Sequence, residues 1–267
     1  MIESPMRQFP KFIRSGGGKI VVSETFYSIQ GEGTYIGTPS VFLRTQGCLL
    51  NCSWCDTYEV WKSGKSYPFW ELYDLWEKRG YIERMKSGAH LILTGGEPLA
   101  RQEEIIDFLK YIDNKKKGNF LNTPTFHNKL NIEIETAGTV VPDYRWYDLY
   151  PHYNVSPKLA NSGMDMKRRN RTEPMLYLSD ISWENKPYRP TASFKFVVSD
   201  RQDIDEIFKT YITPYEINID SVYIMAEAQT RRELQEREPA IVDIAKEYGL
   251  KYSTRLHLHI WDKATGV

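Results

Sequence analysis

All three cysteines of the chain lie within eight residues, Cys48-Leu-Leu-Asn-Cys52-Ser-Trp-Cys55, at the spacing C-x3-C-x2-C. Three thiolates delivered by one short loop can wrap a single metal centre. Four-iron clusters are held by cysteine thiolates, and three of them leave one iron without a protein ligand. An open coordination position is where a small molecule binds and reacts, whereas a closed site is structural. Two other uses of the thiols stand beside this one. A disulfide is disfavoured, because the count is odd and the spacing is that of a metal or redox site. A structural zinc ion needs a fourth ligand, and the nearest histidine, His90, is thirty-five residues past Cys55.

Other polar groups fall where strands should end. Residues 19–27 alternate and are rich in β-branched side chains, as a strand requires, and lead into Gln30-Gly-Glu-Gly33. Two glycines around a glutamate let main chain approach a ligand, although a surface turn has the same composition. Residues 40–46 form a second strand that delivers the chain into the cysteine loop. Arg44 within it is either solvent-facing or a buried anion clamp. A helix over 71–86 follows, then the short strand His90–Thr94 running into Gly95-Gly-Glu-Pro98, and a second helix.

The alternation continues: Asn131–Glu135 into Thr136-Ala-Gly, His152–Ser156 into Pro157-Lys158, Ser193–Val198 into a helix, Ser221–Met225 into a long helix interrupted near Pro239, and a last strand over about 250–257. Strands alternating with helices imply a parallel sheet, curled into a full or partial barrel, with ligand groups at the strand C-termini. Residues 1–18 read as a flexible lead-in and 19–267 as one domain, with an irregular insertion at about 159–190. The Lys167–Arg171 run in that insertion reads as a solvated loop; phosphate binding is the other use of such a run.

Lys plus Arg equals Asp plus Glu at 35 each, so no net field draws the chain to nucleic acid or membrane. No run of eighteen apolar residues appears, the N-terminus has no secretory apolar stretch, and the cysteines suit a reducing compartment. The expectation is a soluble, cytoplasmic protein.

C-x3-C-x2-C after one strand and Gly-Gly-Glu-Pro after the next resembles the radical S-adenosylmethionine superfamily. Within it, Gln30–Gly33, Phe42–Cys48, Cys55-Asp-Thr57, Leu93–Pro98, Glu135–Thr139, Ser156–Lys158, Lys195–Val198, Arg255–Trp261 and Gly266-Val267 are similar to the 7-carboxy-7-deazaguanine synthase family. The resemblance runs from about residue 20 to the end; the 159–190 stretch is longer than the family's pattern.

The resemblance implies an α/β fold, a partial (β/α) barrel of radical SAM type with a largely parallel curved sheet. It also implies a lyase that converts 6-carboxy-5,6,7,8-tetrahydropterin to 7-carboxy-7-deazaguanine and ammonia, by hydrogen-atom abstraction and ring contraction, for 7-deazapurine (queuosine-type) biosynthesis. Cys48, Cys52 and Cys55 would hold a [4Fe–4S] cluster. Asp56, Gly95, Gly96, Glu97, Thr136, Ser156 and Lys158 would serve S-adenosyl-L-methionine, with Glu97 accepting from its ammonium. Gln30, Gly31, Glu32, Arg44, Thr94, His257 and the Val267 carboxylate would bind the pterin. His257 and His259 would face one way if both stood on a strand. Thr57 would give magnesium an oxygen ligand. A flavodoxin- or ferredoxin-type electron donor and a homodimer complete the implied partners. Competing readings are an activase acting on a protein partner and a non-catalytic metal-binding protein.

Overall fold

The computed structural model describes residues 17–118, 120–121, 130–184, 188–264 and 266. Residues 1–16 of the expected 1–18 lead-in and the terminal Val267 lie outside the described residues. In order come β1 (Lys19–Ile29), β2 (Pro39–Thr45), α1 (Tyr58–Trp61), β3 (Lys65–Pro68), α2 (Phe69–Lys78), α3 (Tyr81–Lys86), β4 (His90–Gly95) and α4 (Gln102–Lys115). There follow β5 (Ile132–Thr136), β6 (His152–Val155), α5 (Met166–Arg169), α6 (Thr172–Asp180), β7 (Thr191–Val198), α7 (Arg201–Glu206), α8 (Thr213–Tyr215), β8 (Val222–Ala226), α9 (Arg231–Tyr248), β9 (Lys251–Tyr252) and α10 (Leu256–Trp261).

One nine-stranded sheet runs β3-β1-β2-β4-β5-β6-β7-β8-β9. β1 is antiparallel to β2 and β3. Every pairing from β2 to β9 is parallel. Parallel neighbours need a crossover, which the intervening helices and loops supply. Strand C-termini therefore share one rim, and the cysteine loop and the Gly95-Gly96 turn leave it side by side, because β2 and β4 are paired with Arg44 opposite Thr94.

The period-2 alternation of β5–β7 sorts residues between two buried faces. Ile132, Ile134, Tyr153, Val155, Phe194 and Phe196 join the main apolar core beneath the helices. Each such side chain contributes about 1.5–3 kcal/mol by leaving water. The alternate residues Glu133, His152, Asn154, Ser193 and Lys195 are also buried, and they are polar. The pattern Ile-Glu-Ile-Glu thus encodes a strand with one apolar and one charged face, both inside the protein.

Four expectations need correction. The helix expected over 71–86 is two, because Gly80 takes φ +69° and starts α3 on a new axis. Among its described residues the stretch 159–190 carries α5, α6 and short 3₁₀ turns at Ala160–Ser162 and Ile181–Trp183, where irregular chain was expected. Asp165 begins α5 by accepting from Lys167 N, a cap that composition alone does not reveal. The last strand spans Lys251–Tyr252 alone, and the chain then turns into α10. In addition, α9 continues through Pro239 without interruption.

Candidate active site

β2 ends at Thr45, and Gly47 at φ +97° swings the chain into the cysteine loop. The three thiols are free, Cys52 buried and Cys48 and Cys55 half-buried, and all line one cavity of about 510 Å³. Leu50 N donates to Cys48 Sγ, and Trp61 Nε1 to Cys55 Sγ, each at 3.4 Å. Outside supports hold the loop: Ser53 N donates to Ser162 O at 3.0 Å, and Trp54 Nε1 to Asn161 Oδ1 at 3.2 Å. The 159–162 segment thus buttresses the loop.

Burial pushes the Cys48 thiol up to about 12 and the Cys52 thiol upward as well. A group that binds these sulfurs as thiolates must therefore displace their protons. Among the described residues, no three His, Cys, Asp or Glu side chains stand close enough to hold a single ion. The three cysteine thiols that line the one cavity are nonetheless the donor type that a four-iron cluster takes. The donor set fits a cluster.

The second loop packs onto the first. A Cβ on Gly96 would stand 2.2 Å from Gly47 O and 2.5 Å from Cys48 Cβ, and one on Gly95, at φ +145°, would meet Thr45 backbone at 2.4 Å. Glycine here lets two backbones touch. Gly96→Ala is expected to cost about 1–3 kcal/mol by overpacking and to lower iron loaded per chain. Thermal denaturation and iron analysis check both effects, and full loading at unchanged stability would contradict the packing.

Glu97 is held by the turn that bears it. It is 1% exposed, and the cavity lining includes Gly95 and Gly96 but not Glu97. Oε1 accepts from Leu99 N at 3.1 Å and Thr136 Oγ1 at 2.8 Å, while Oε2 accepts from Ala137 N at 2.9 Å. Burial raises its carboxyl, against those three bonds. Its main work in this structure is to lock the β4 turn to the end of β5.

The cavity floor is charged. Lys195 Nζ bridges Glu32 Oε2 at 2.5 Å and Glu135 Oε2 at 3.2 Å. Arg255 Nε meets Glu32 Oε1 at 2.9 Å, and its Nη2 pairs with Asp56. Burial alone would raise Glu32, but Lys195 and Arg255 outweigh it and hold the carboxyl well below the usual range. Asp56 is lowered in the same contest, by Arg255. Glu135 goes the other way, because burial there outweighs Lys195. Behind them, Gln30 Nε2 donates at 3.0 Å to both Glu133 Oε2 and Glu135 Oε1. Asn154 Nδ2 donates to the same pair at 2.8 and 3.2 Å, and His90 Nδ1 closes on Glu133 Oε1 at 2.5 Å. Sequence reading gave Gln30 and Glu32 to a ligand; here they are also the hubs of this lattice. Glu24, Trp61, Glu133 and Asn154 were not singled out as site residues, and Lys195 and Arg255 entered only within family-like stretches.

The other expected residues divide. Arg44, Thr57, Thr94, Thr136, Ser156, Lys158 and His257 line the cavity. Arg44 Nε pairs with Glu24 at 2.8 Å, Lys158 Nζ donates to Ser156 Oγ at 2.9 Å, and Thr57 spends no side-chain bond on capping α1. A Cβ on Gly31 would stand 2.2 Å from His257 Nδ1, so this glycine seats the imidazole. His257 and His259 do not share a face, because they stand on α10 rather than a strand. His259 Nε2 instead meets Glu238 Oε2 and Thr254 Oγ1, both at 3.0 Å.

Residues 29–136 match the family model of a 4Fe-4S single cluster domain. Two 7-carboxy-7-deazaguanine synthases are similar over nearly their whole length. That of Halobacterium salinarum is 30% identical, covering 93% of each chain. That of Rhodopirellula baltica is 32% identical, over 96% of this chain and 92% of its own. Among solved structures, QueE from Escherichia coli shares the fold at TM-score 0.58 and 21% identity, over 90% of this chain and 95% of that one. A cysteine loop locked to a Gly-Gly turn over a charged floor, carried on a chain similar to these enzymes over 93% and 96% of its length, places this protein in the 7-carboxy-7-deazaguanine synthase family.

Proposed function

We propose that the chain converts 6-carboxy-5,6,7,8-tetrahydropterin to 7-carboxy-7-deazaguanine and ammonia, by hydrogen-atom abstraction and ring contraction. The observation that carries this is the sharing of one cavity by Cys48, Cys52 and Cys55 with the Glu32–Lys195–Arg255 floor. The sheet is read as a partial barrel around that cavity, which side chains from β1, β2, β5, β7 and α10 all reach.

The three cysteines would hold the [4Fe–4S] cluster; with S-adenosyl-L-methionine bound, the pair supplies the radical that removes hydrogen from the substrate. Gly95 and Gly96 let main chain approach the cofactor, and Thr136, Ser156, Lys158 and Asp56 offer it polar groups along the rim. Glu97 acts chiefly by holding Thr136 and the Ala137 amide in place. Glu32, kept anionic, accepts from the N–H edge of the pterin ring. Gln30, Gly31, Thr94 and His257 surround that ring. Thr57, whose hydroxyl lies 3.9 Å from Cys55 Sγ, is assigned as an oxygen ligand for magnesium. A flavodoxin- or ferredoxin-type donor, a homodimer, a cytoplasmic setting and use of the product in queuosine-type synthesis complete the reading.

Arg44 is assigned to the substrate carboxylate. Glu24 holds its Nε at 2.8 Å, which fixes the guanidinium so that the Nη edge can meet a carboxylate in a bidentate pair. Arg44→Lys is therefore expected to raise KM for the pterin by about tenfold or more, the loss of a charge-assisted bond, while leaving iron content unchanged. Steady-state kinetics check it; an unchanged KM removes Arg44 from the pocket. The function itself is tested by anaerobic turnover of the reconstituted protein, and recovery of the pterin unaltered overturns it.

A further inference from the structure

Trp61 ends α1, six residues past Cys55, and is 2% exposed. Its ring packs edge-on to Tyr58 with centroids 5.2 Å apart. Two of its polar groups reach opposite ends of the cysteine loop. The indole Nε1–H points at Cys55 Sγ at 3.4 Å, and the backbone carbonyl accepts from Gly47 N at 3.1 Å, immediately before Cys48. A buried indole N–H takes a hydrogen-bond partner, and a neutral sulfur is a weak one. A thiolate bearing negative charge is a stronger acceptor, so the contact gains most when Cys55 is a cluster ligand. Cys48 has the matching contact from Leu50 N at 3.4 Å, a main-chain donor that no substitution removes cleanly.

We propose that Trp61 is a positioning residue that sets the reduction potential of the cluster, donating its indole N–H to the Cys55 sulfur. Adding one electron makes the cluster and its sulfurs more negative, with no proton required. A donor on a ligating sulfur stabilises that reduced state more than the oxidised one, and hydrogen bonds to the sulfurs are among the quantities that set such potentials. The inference rests on the cluster reading.

Two variants separate the hydrogen bond from the packing. Trp61→Phe removes the N–H and part of the ring. Replacement of Trp61 by 3-benzothienylalanine, introduced by codon suppression, removes the N–H and keeps the shape. Each is reconstituted anaerobically, assayed for iron and sulfide, and titrated with mediators while the reduced cluster is followed by electron paramagnetic resonance. Both variants are expected to load the parent's iron and sulfide. At a fixed solution potential their ratio of reduced to oxidised cluster should fall by up to about tenfold, a negative shift of up to about 59 mV for one electron. Should Trp61→Phe fail to load, the benzothienyl variant alone decides. An unshifted potential in the benzothienyl variant overturns the proposal, whether or not Trp61→Phe shifts. A parent protein that loads no iron and sulfide overturns the cluster reading and this inference with it, and is distinguished by analysis before any titration.

Discussion

Replacing Cys52 by alanine is expected to abolish both the iron–sulfur centre and turnover. Cys52 is the most buried of the three sulfurs, at 6% exposure, and it packs with Leu50 and Ala137 at the meeting of the cysteine loop and the end of β5. Removing it leaves two thiolates for a cluster that needs three from this loop. Alanine fills most of the same apolar space, so the fold should persist with a near-parent circular dichroism spectrum. Iron and sulfide per chain should fall to background. Turnover should fall below detection, since a rate enhancement of about 10⁶-fold or more hangs on the centre. Retained sulfide or measurable product in Cys52→Ala would contradict the assignment of these cysteines.

The second large effect belongs to Lys195, whose side chain is 4% exposed between Glu32 and Glu135. Lys195→Met keeps the length of the side chain and deletes its charge. Breaking a buried pair from one side costs about 3–5 kcal/mol, because a charge is left uncompensated. The pH dependence distinguishes this from a packing defect. In the parent, Glu32 is held below its ordinary 4.5, so its contribution is present above that value and is lost as pH falls through the folded value. Without Lys195, Glu32 keeps Arg255 against burial, whereas Glu135 loses the cation beside it and is raised further. A raised carboxyl contributes stability in full below its ordinary value and loses it as pH rises through the folded value. The deficit of Lys195→Met against the parent should thus be small near about pH 5 and grow towards about pH 8. Urea denaturation across that range measures it. A deficit independent of pH would mean that Lys195 is packing rather than charge.

The parts of this site that lie close together in sequence were legible there. The cysteine spacing, the Gly95-Gly96 turn and the strand-to-helix rhythm each follow from local chemistry within a few residues. The floor was not legible, because its pairs join residues far apart: Lys195 to Glu32, Arg255 to Asp56 and Gln30 to Glu133. Alternation marked Glu133 and Glu135 as one face of a strand, but nothing local says that this face is also buried. His257 and His259 were misplaced for a related reason. The stretch Arg255–Trp261 alternates as a strand does, yet β9 ends at Tyr252 and Leu256–Trp261 form α10. Glu97 shows the converse. Its type and position announced a ligand, and nothing local announced the three hydrogen bonds that tie it to its own turn and to the end of β5. Gly96 was expected to serve the cofactor, and its missing side chain is also room for Cys48. The 159–162 turn, set aside as insertion, supports Ser53 and Trp54 between the ligating positions.

The central claim is that the cysteine loop and the charged floor serve one reaction in one cavity. Its most direct test is anaerobic reconstitution with iron and sulfide, then reduction and incubation with S-adenosyl-L-methionine, magnesium and 6-carboxy-5,6,7,8-tetrahydropterin, with products counted by mass spectrometry. The account predicts 7-carboxy-7-deazaguanine in excess over the S-adenosyl-L-methionine consumed, because the cofactor is regenerated in each cycle. Release of 5′-deoxyadenosine with no deazapurine would contradict it, by placing the cluster and the floor in different chemistry.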